Sequence, residues 1–179
     1  IVAAQGLKLV RKIMLETEKF KGPIYIRLGR GGDKIITKKT SKIKIGKAVE
    51  IIKPKENLFI TTGVTTQIAL EAIKTLEKDK IKVGLVHFNT IKPLDKQFLK
   101  KLLKQMKCVI TVEEHSIIGG LGSSILEFMN ENKIYDTKVK RIGVPDKFTE
   151  QYGSQETLFK LWKIDGENLS REMKKLIKE

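Results

Sequence analysis

The chain has one cysteine, two histidines and four prolines, and aromatic residues fill only 6% of its 179 positions. A single thiol rules out an internal disulfide and a paired-cysteine metal site. Cys108 sits in the apolar run "CVITV", the setting of a buried, inert thiol. Two distant histidines, His87 and His115, beside one cysteine give no zinc-ligand pattern. Scarce aromatics leave little from which to build a base-stacking platform, so the net charge of +15 does not by itself indicate nucleic acid. The lysines run through the whole chain, as in "KTLEKDKIKVG" and "LKKLLKQMK", rather than gathering in a stripe. Together with abundant isoleucine they read as a composition bias. No apolar run approaches the ~20 residues that span a bilayer, and no signal-peptide pattern opens the chain. Neither a nucleic-acid nor a membrane partner is expected, and the expected compartment is the cytoplasm.

What is present is ordinary for a globular protein: 40% hydrophobic and 32% charged residues. The length suits one domain, or one domain with a piece of another. The chain opens at Ile1 inside "IVAAQGLKLVRKIML", which reads as a piece whose beginning is missing. Leu7, Val10, Arg11, Met14 and Leu15 have helical spacing, ended by Gly22-Pro23. "IYIRL" then alternates as a strand and "GRGG" turns. One helix and one or two strands cannot close a core, so residues 1–36 read as the tail of a larger domain. "TKKTSKIKIG", residues 37–46, reads as a linker lying on the surface.

From 47 to 179 strands alternate with helices. "AVEII", "NLFITTG", "KVGLVHFN", "CVITVEE" and "VKRIGV" read as strands. Ile68, Ala69, Ala72, Ile73 and Leu76 mark one helix face, with Thr65 and Thr66 expected to cap its amides. Asp95 is the expected N-cap of the next helix, Leu121 to Asn132 form another, and two short helices finish the chain. Near-continuous apolar strands between helices predict an α/β domain of three layers with a mostly parallel sheet.

Three elements carry candidate chemistry. In "TVEEHSIIGGLGSSILEFM", Gly119, Gly120 and Gly122 lie between a strand and a helix, where backbone amides and the helix dipole favour an anion. The pattern lacks the third glycine of a dinucleotide fingerprint and the lysine of a P-loop, so a tight corner competes with an anion cradle. Strand alternation sends Glu113 and Glu114 to opposite faces, against a carboxylate pair. His115 leaves the sheet at the edge where α/β folds bind ligands, while His87 lies among apolar residues as a core or sheet-end histidine. In "IRLGRGG", Arg27 and Arg30 offer guanidinium forks suited to phosphate or carboxylate, or else surface charge. No G-x-S-x-G elbow supports a serine hydrolase.

Taken together, "GPIYIRLGRG", "FNTIKPLD", "TVEEHSIIGGLGS", "RIGVPDKF" and a final short helix resemble the C-terminal section of transketolases, especially the kind made as two subunits. The resemblance spreads over nearly the whole chain in the family's order. Deoxyxylulose-phosphate synthase and the β subunits of 2-oxo acid dehydrogenases share the pattern loosely, while "HSIIGGLGS" and "NTIKPLD" favour transketolase. The resemblance implies a Rossmann-like C-terminal domain (47–179), preceded by a linker and by the end of a pyrimidine-binding domain (1–36). It also implies an enzyme that moves a two-carbon ketol unit between sugar phosphates, as a homodimer or α2β2 assembly with an N-terminal section. Thiamine diphosphate and Mg2+ would be held mainly outside this chain, which would carry no catalytic residue and be inactive alone. Arg30 matches the arginine that holds the sugar phosphate, with Arg27 a weaker second. Glu114, His115, Gly119, Gly120 and Gly122 would shape an interface, His115 remaining a substrate-side candidate. The alternative of another class is a non-catalytic interaction module, a stable monomer that binds a partner through its sheet edge without thiamine diphosphate.

Overall fold

The computed structural model describes residues 1–4, 7–29 and 43–179. In chain order the elements are β1 (Val2–Ala4), α1 (Leu7–Thr17), β2 (Ile26–Leu28), β3 (Val49–Ile52), β4 (Asn57–Thr61), α2 (Thr65–Lys78), β5 (Val83–His87), α3 (Lys96–Leu103), β6 (Cys108–Ser116), α4 (Leu121–Glu131), β7 (Lys138–Val144), α5 (Gln155–Leu161) and α6 (Gly166–Lys178). Strands β3-β5-β4-β6-β7 form one sheet, parallel throughout except for β3, which runs antiparallel along the β5 edge. This is the α/β architecture with a mostly parallel sheet that the alternating pattern implies.

Alternation along β4 explains the three layers. Phe59 points to one face, where Leu85, Ile110 and Val112 meet Ala69, Ile73 and Leu76 of α2 and Leu169 and Met173 of α6. Leu58 and Ile60 point to the other, against Leu99 and Leu103 of α3 and Leu121, Ile125 and Phe128 of α4. Both faces are covered, so β5 is buried along its whole length and its sequence carries no polar side chain before His87 at its end. A leucine such as Leu85, fully buried between the layers, contributes roughly 2–3 kcal/mol through burial alone.

Helix starts follow local chemistry. Asp95, Ser154 and Asp165 each accept from the amide three residues on, at 3.4, 3.2 and 2.8 Å respectively. Thr65 and Thr66 do not cap α2 as expected. Their hydroxyls donate backwards instead, Thr65 to the carbonyls of Thr62 and Val112 at 2.8 Å each, Thr66 to that of Gly63 at 3.2 Å. The reason is burial: both threonines lie fully inside, where carbonyls at the ends of β4 and β6 need donors.

The N-terminal residues form a smaller unit. β1 and β2 pair in parallel, and α1 packs over them through Leu9 and Ile13. This cluster leans on Val49 of β3 and on Ile43, which is buried rather than lying on the surface as the linker reading had it. Residues 37–42 of that linker lie outside the described residues. Backbone bonds tie the unit to the loop after β5: Ala3 donates to the Asn89 carbonyl and Ile91 donates to that of Ile1, both at 2.9 Å. The "NTIKPLD" stretch is therefore a docking saddle for the first strand.

Candidate functional site

The connections of β4 and β6 leave in opposite directions, which makes their carboxyl ends the crevice where doubly wound sheets bind ligands. Here the chain bridges the crevice itself. The Thr62 amide donates to the Val112 carbonyl at 3.3 Å, and the Thr65 hydroxyl reaches the same oxygen. Beyond it, β6 continues to Ser116 while its ladder with β7 is irregular between Val112 and Ser116. Glu113, Glu114 and His115 lie within that irregular stretch.

Glu113 turns toward α4, almost wholly buried, and its two carboxyl oxygens accept from the amides of Leu121 and Gly122 at 2.7 and 2.8 Å. The anion that the helix N-terminus favours is thus the chain's own carboxylate. Burial pushes the Glu113 carboxyl above its usual range, against the pull of those two amides and of the nearby His115 and Arg141. Arg141 clamps the same corner, donating to the Ile117 carbonyl and the Ser123 hydroxyl at 2.8 Å each. Glycine is required here by close approach. A Cβ on Gly120 would stand 1.9 Å from a Glu113 oxygen, and one on Gly122 would stand 2.6 Å from Thr111 Oγ1. Gly119 completes the turn with φ +75.

Glu114 faces the other way, as alternation implies. Its carboxylate lies 3.5 Å from the Arg27 guanidinium and accepts from the Gln155 amide at the start of α5. Arg27 also donates to the Glu114 carbonyl. Arg27 was the weaker phosphate candidate; its fork is engaged by Glu114 from the large sheet. Arg30 lies outside the described residues. His115 is exposed, and its Nδ1 lies 3.3 Å from the Ser116 carbonyl.

His87 ends β5 fully buried, with Nδ1 2.8 Å from the Thr66 hydroxyl, which in turn meets Thr61 Oγ1 at 2.8 Å. Its Nε2 is buried without a partner among the described residues, and burial lowers its pKa to about 4, which keeps the ring neutral. Sequence reasoning had not singled out Arg141 or Gln155 and had weighed Glu113 only as half of an acid pair. The available signal was alternation, which aims Glu113 at the helix its own glycines begin.

Among the described residues no cluster of His, Cys, Asp and Glu could hold a metal ion, and the amides at the start of α4 are already occupied. These residues do not fit a diphosphate with its metal.

The geometry defines a Rossmann-like α/β domain whose carboxyl edge is closed by its own side chains and joined to a strand–helix–strand unit. The transketolase C-terminal domain model matches residues 46–169, and the chain belongs to that family. A putative transketolase C-terminal section of Methanocaldococcus jannaschii is 32% identical over 98% of this chain and 56% of its own length. The 1-deoxy-D-xylulose-5-phosphate synthase of Halothermothrix orenii is 38% identical over 88% of this chain and 25% of its own. A solved structure described as a split gene transketolase, inactive beta4 tetramer, superposes with a TM-score of 0.90 at 29% identity, covering 99% of this chain and 57% of that one. The chain therefore spans about a quarter of the synthase and somewhat over half of the split relatives. Members of this family are in general thiamine diphosphate enzymes.

Proposed function

We propose that this chain is the C-terminal portion of a split transketolase, working in the cytoplasm with an N-terminal section that supplies most of the thiamine diphosphate and Mg2+ site. The observation that carries this reading is the likeness over 99% of the chain to a split gene transketolase, at a TM-score of 0.90. The assembly, a dimer or α2β2, transfers a two-carbon ketol unit from a ketose phosphate to an aldose phosphate. Within it, residues 1–36 complete a pyrimidine-binding domain, residues 47–179 form the C-terminal domain, and Arg30 holds the sugar phosphate. The glycine corner and His115 lie toward an interface. The chain alone is inactive, because an enzyme cannot preorganise a cofactor it does not enclose.

A second reading has its own support: several relatives of higher identity are deoxyxylulose-phosphate synthases, the one above at 38%. One experiment addresses both. The complete protein is combined with its N-terminal section, thiamine diphosphate and Mg2+, and the products from sugar phosphates are identified. Two-carbon transfer that needs both chains is the expected result. A 1-deoxy sugar phosphate would establish the second reading, and turnover by this chain without a partner or cofactor would overturn both.

A further inference from the structure

Strand register places the small β1–β2 sheet across the end of β4. In the large sheet β4 lies between β5 and β6, and Thr61 pairs with His87 on one side and Val112 on the other. Asn89 and Glu114 each stand two residues past those partners, on either side of the chain as it leaves β4. Both are bonded to the small sheet, through two residues that pair with each other. The Ala3 amide donates to the Asn89 carbonyl at 2.9 Å, and the guanidinium of Arg27, opposite Ala3 in the register, donates to the Glu114 carbonyl. Two strand spacings, about 10 Å, are bridged in this way.

The two ends of the bridge are built differently. Toward β3 and β5 the hold is backbone and apolar: Ile91 donates to the Ile1 carbonyl at 2.9 Å, and Val2, Leu9 and Ile13 cluster with Val49. Toward β6 it is a half-exposed side chain. The Arg27 guanidinium lies 3.5 Å from the Glu114 carboxylate, which also accepts from the Gln155 amide at the start of α5. At the strand ends that the bridge crosses, Thr62 Oγ1, His87 Nε2 and both polar side-chain atoms of Asn89 are buried without a partner among the described residues.

We propose that the Arg27–Glu114 pair is a releasable latch: when it opens, the β1–β2 sheet turns about its β5-side bonds and uncovers the ends of β4 and β5. Backbone bonds backed by an apolar cluster open together and rarely, whereas a half-exposed ion pair breaks and re-forms against solvent at small cost. The β6 side therefore yields first, and the β5 side serves as the hinge. Gln155 keeps the carboxylate in place for Arg27, so the start of α5 belongs to the latch. What it guards is the crevice at the carboxyl ends of the strands, and the groups uncovered there exchange hydrogen bonds without carrying charge. The device holds whichever reaction the assembly performs.

The test reads solvent access to His87 in the complete protein. Diethyl pyrocarbonate acylates a neutral imidazole, so its rate at the buried His87 measures how often that ring is uncovered, with N-acetylhistidine in the same solution as the reference. The single thiol, Cys108, is 3% exposed at the opposite end of β6 and reports wider loosening through its rate of alkylation. In Arg27→Ala and in Glu114→Gln, His87 is expected to react about fivefold faster, with the Cys108 rate and the urea midpoint unchanged. The double variant should match the faster single one, because each removes the same latch. High salt should speed His87 in the wild type and leave the variants as they are. A wild-type His87 rate in both single variants overturns the proposal. So does a parallel rise at Cys108 or a lowered urea midpoint, either of which would make the pair an ordinary brace of the fold.

Discussion

Residues 43–179 and residues 1–29 follow opposite rules of burial. In the larger region both faces of the sheet are covered, and apolar side chains close two clusters across it. In the smaller one a thin cluster of Val2, Leu9 and Ile13 borrows Val49 and Ile43, while Met14, Leu15, Phe20, Tyr25 and Leu28 stand 41–64% exposed. One region closes two clusters of its own. In the other, these apolar side chains are left open by the described residues.

Substitutions can break the contrast, or sharpen it. Leu85→Ala, in the centre of the larger region, should cost about 4 kcal/mol, read as a lower urea midpoint. The matching Ile13→Ala should cost about 2 kcal/mol and show as local opening by hydrogen exchange, because a thinner shell collapses more readily round the gap. Equal global losses from the two would mean that the regions unfold as one unit. Gly120→Ala should cost about 3 kcal/mol, because the new methyl displaces the Glu113 cap. A wild-type urea midpoint for that variant would remove the corner from the stability of the larger region.

Acid should weaken the larger region through His87. Its folded pKa, about 4, lies below the unfolded value of 6.5, so between these values the unfolded chain holds a proton that the folded chain lacks. Stability therefore falls as pH drops through that window, by about 2 kcal/mol from pH 7 to pH 5. His87→Gln should flatten the profile over the same range in urea titrations. The smallest effect belongs to Leu15→Ser, at 56% exposure: below about 0.5 kcal/mol in this chain. The same variant should reduce assembly with the N-terminal section by size-exclusion chromatography, and unchanged assembly would show that this face stays open.

Periodicity made the larger region legible. Apolar runs such as "KVGLVHFN" could only be strands covered on both sides, and helical spacing located the helix faces. Caps were legible where the residue had one role to play, as at Asp95, and misread at Thr65 and Thr66, where burial redirected the hydroxyls toward carbonyls. At the corner, glycine spacing marked a helix start but could not name the anion at it. Glu113 reaches Leu121 and Gly122 only because the strand folds back on its own helix. The Arg27–Glu114 pair spans 87 positions, and no local pattern encodes a contact of that kind.

The docking saddle sets an order of events in the making of the chain. Ala3 donates its amide to the Asn89 carbonyl, so while β1 can meet β2 early, its other edge is met only after 86 more residues have been added. At a translation rate of roughly 5–20 residues per second, that strand waits on the order of ten seconds on the ribosome. Through that interval this edge of β1 is open to other chains.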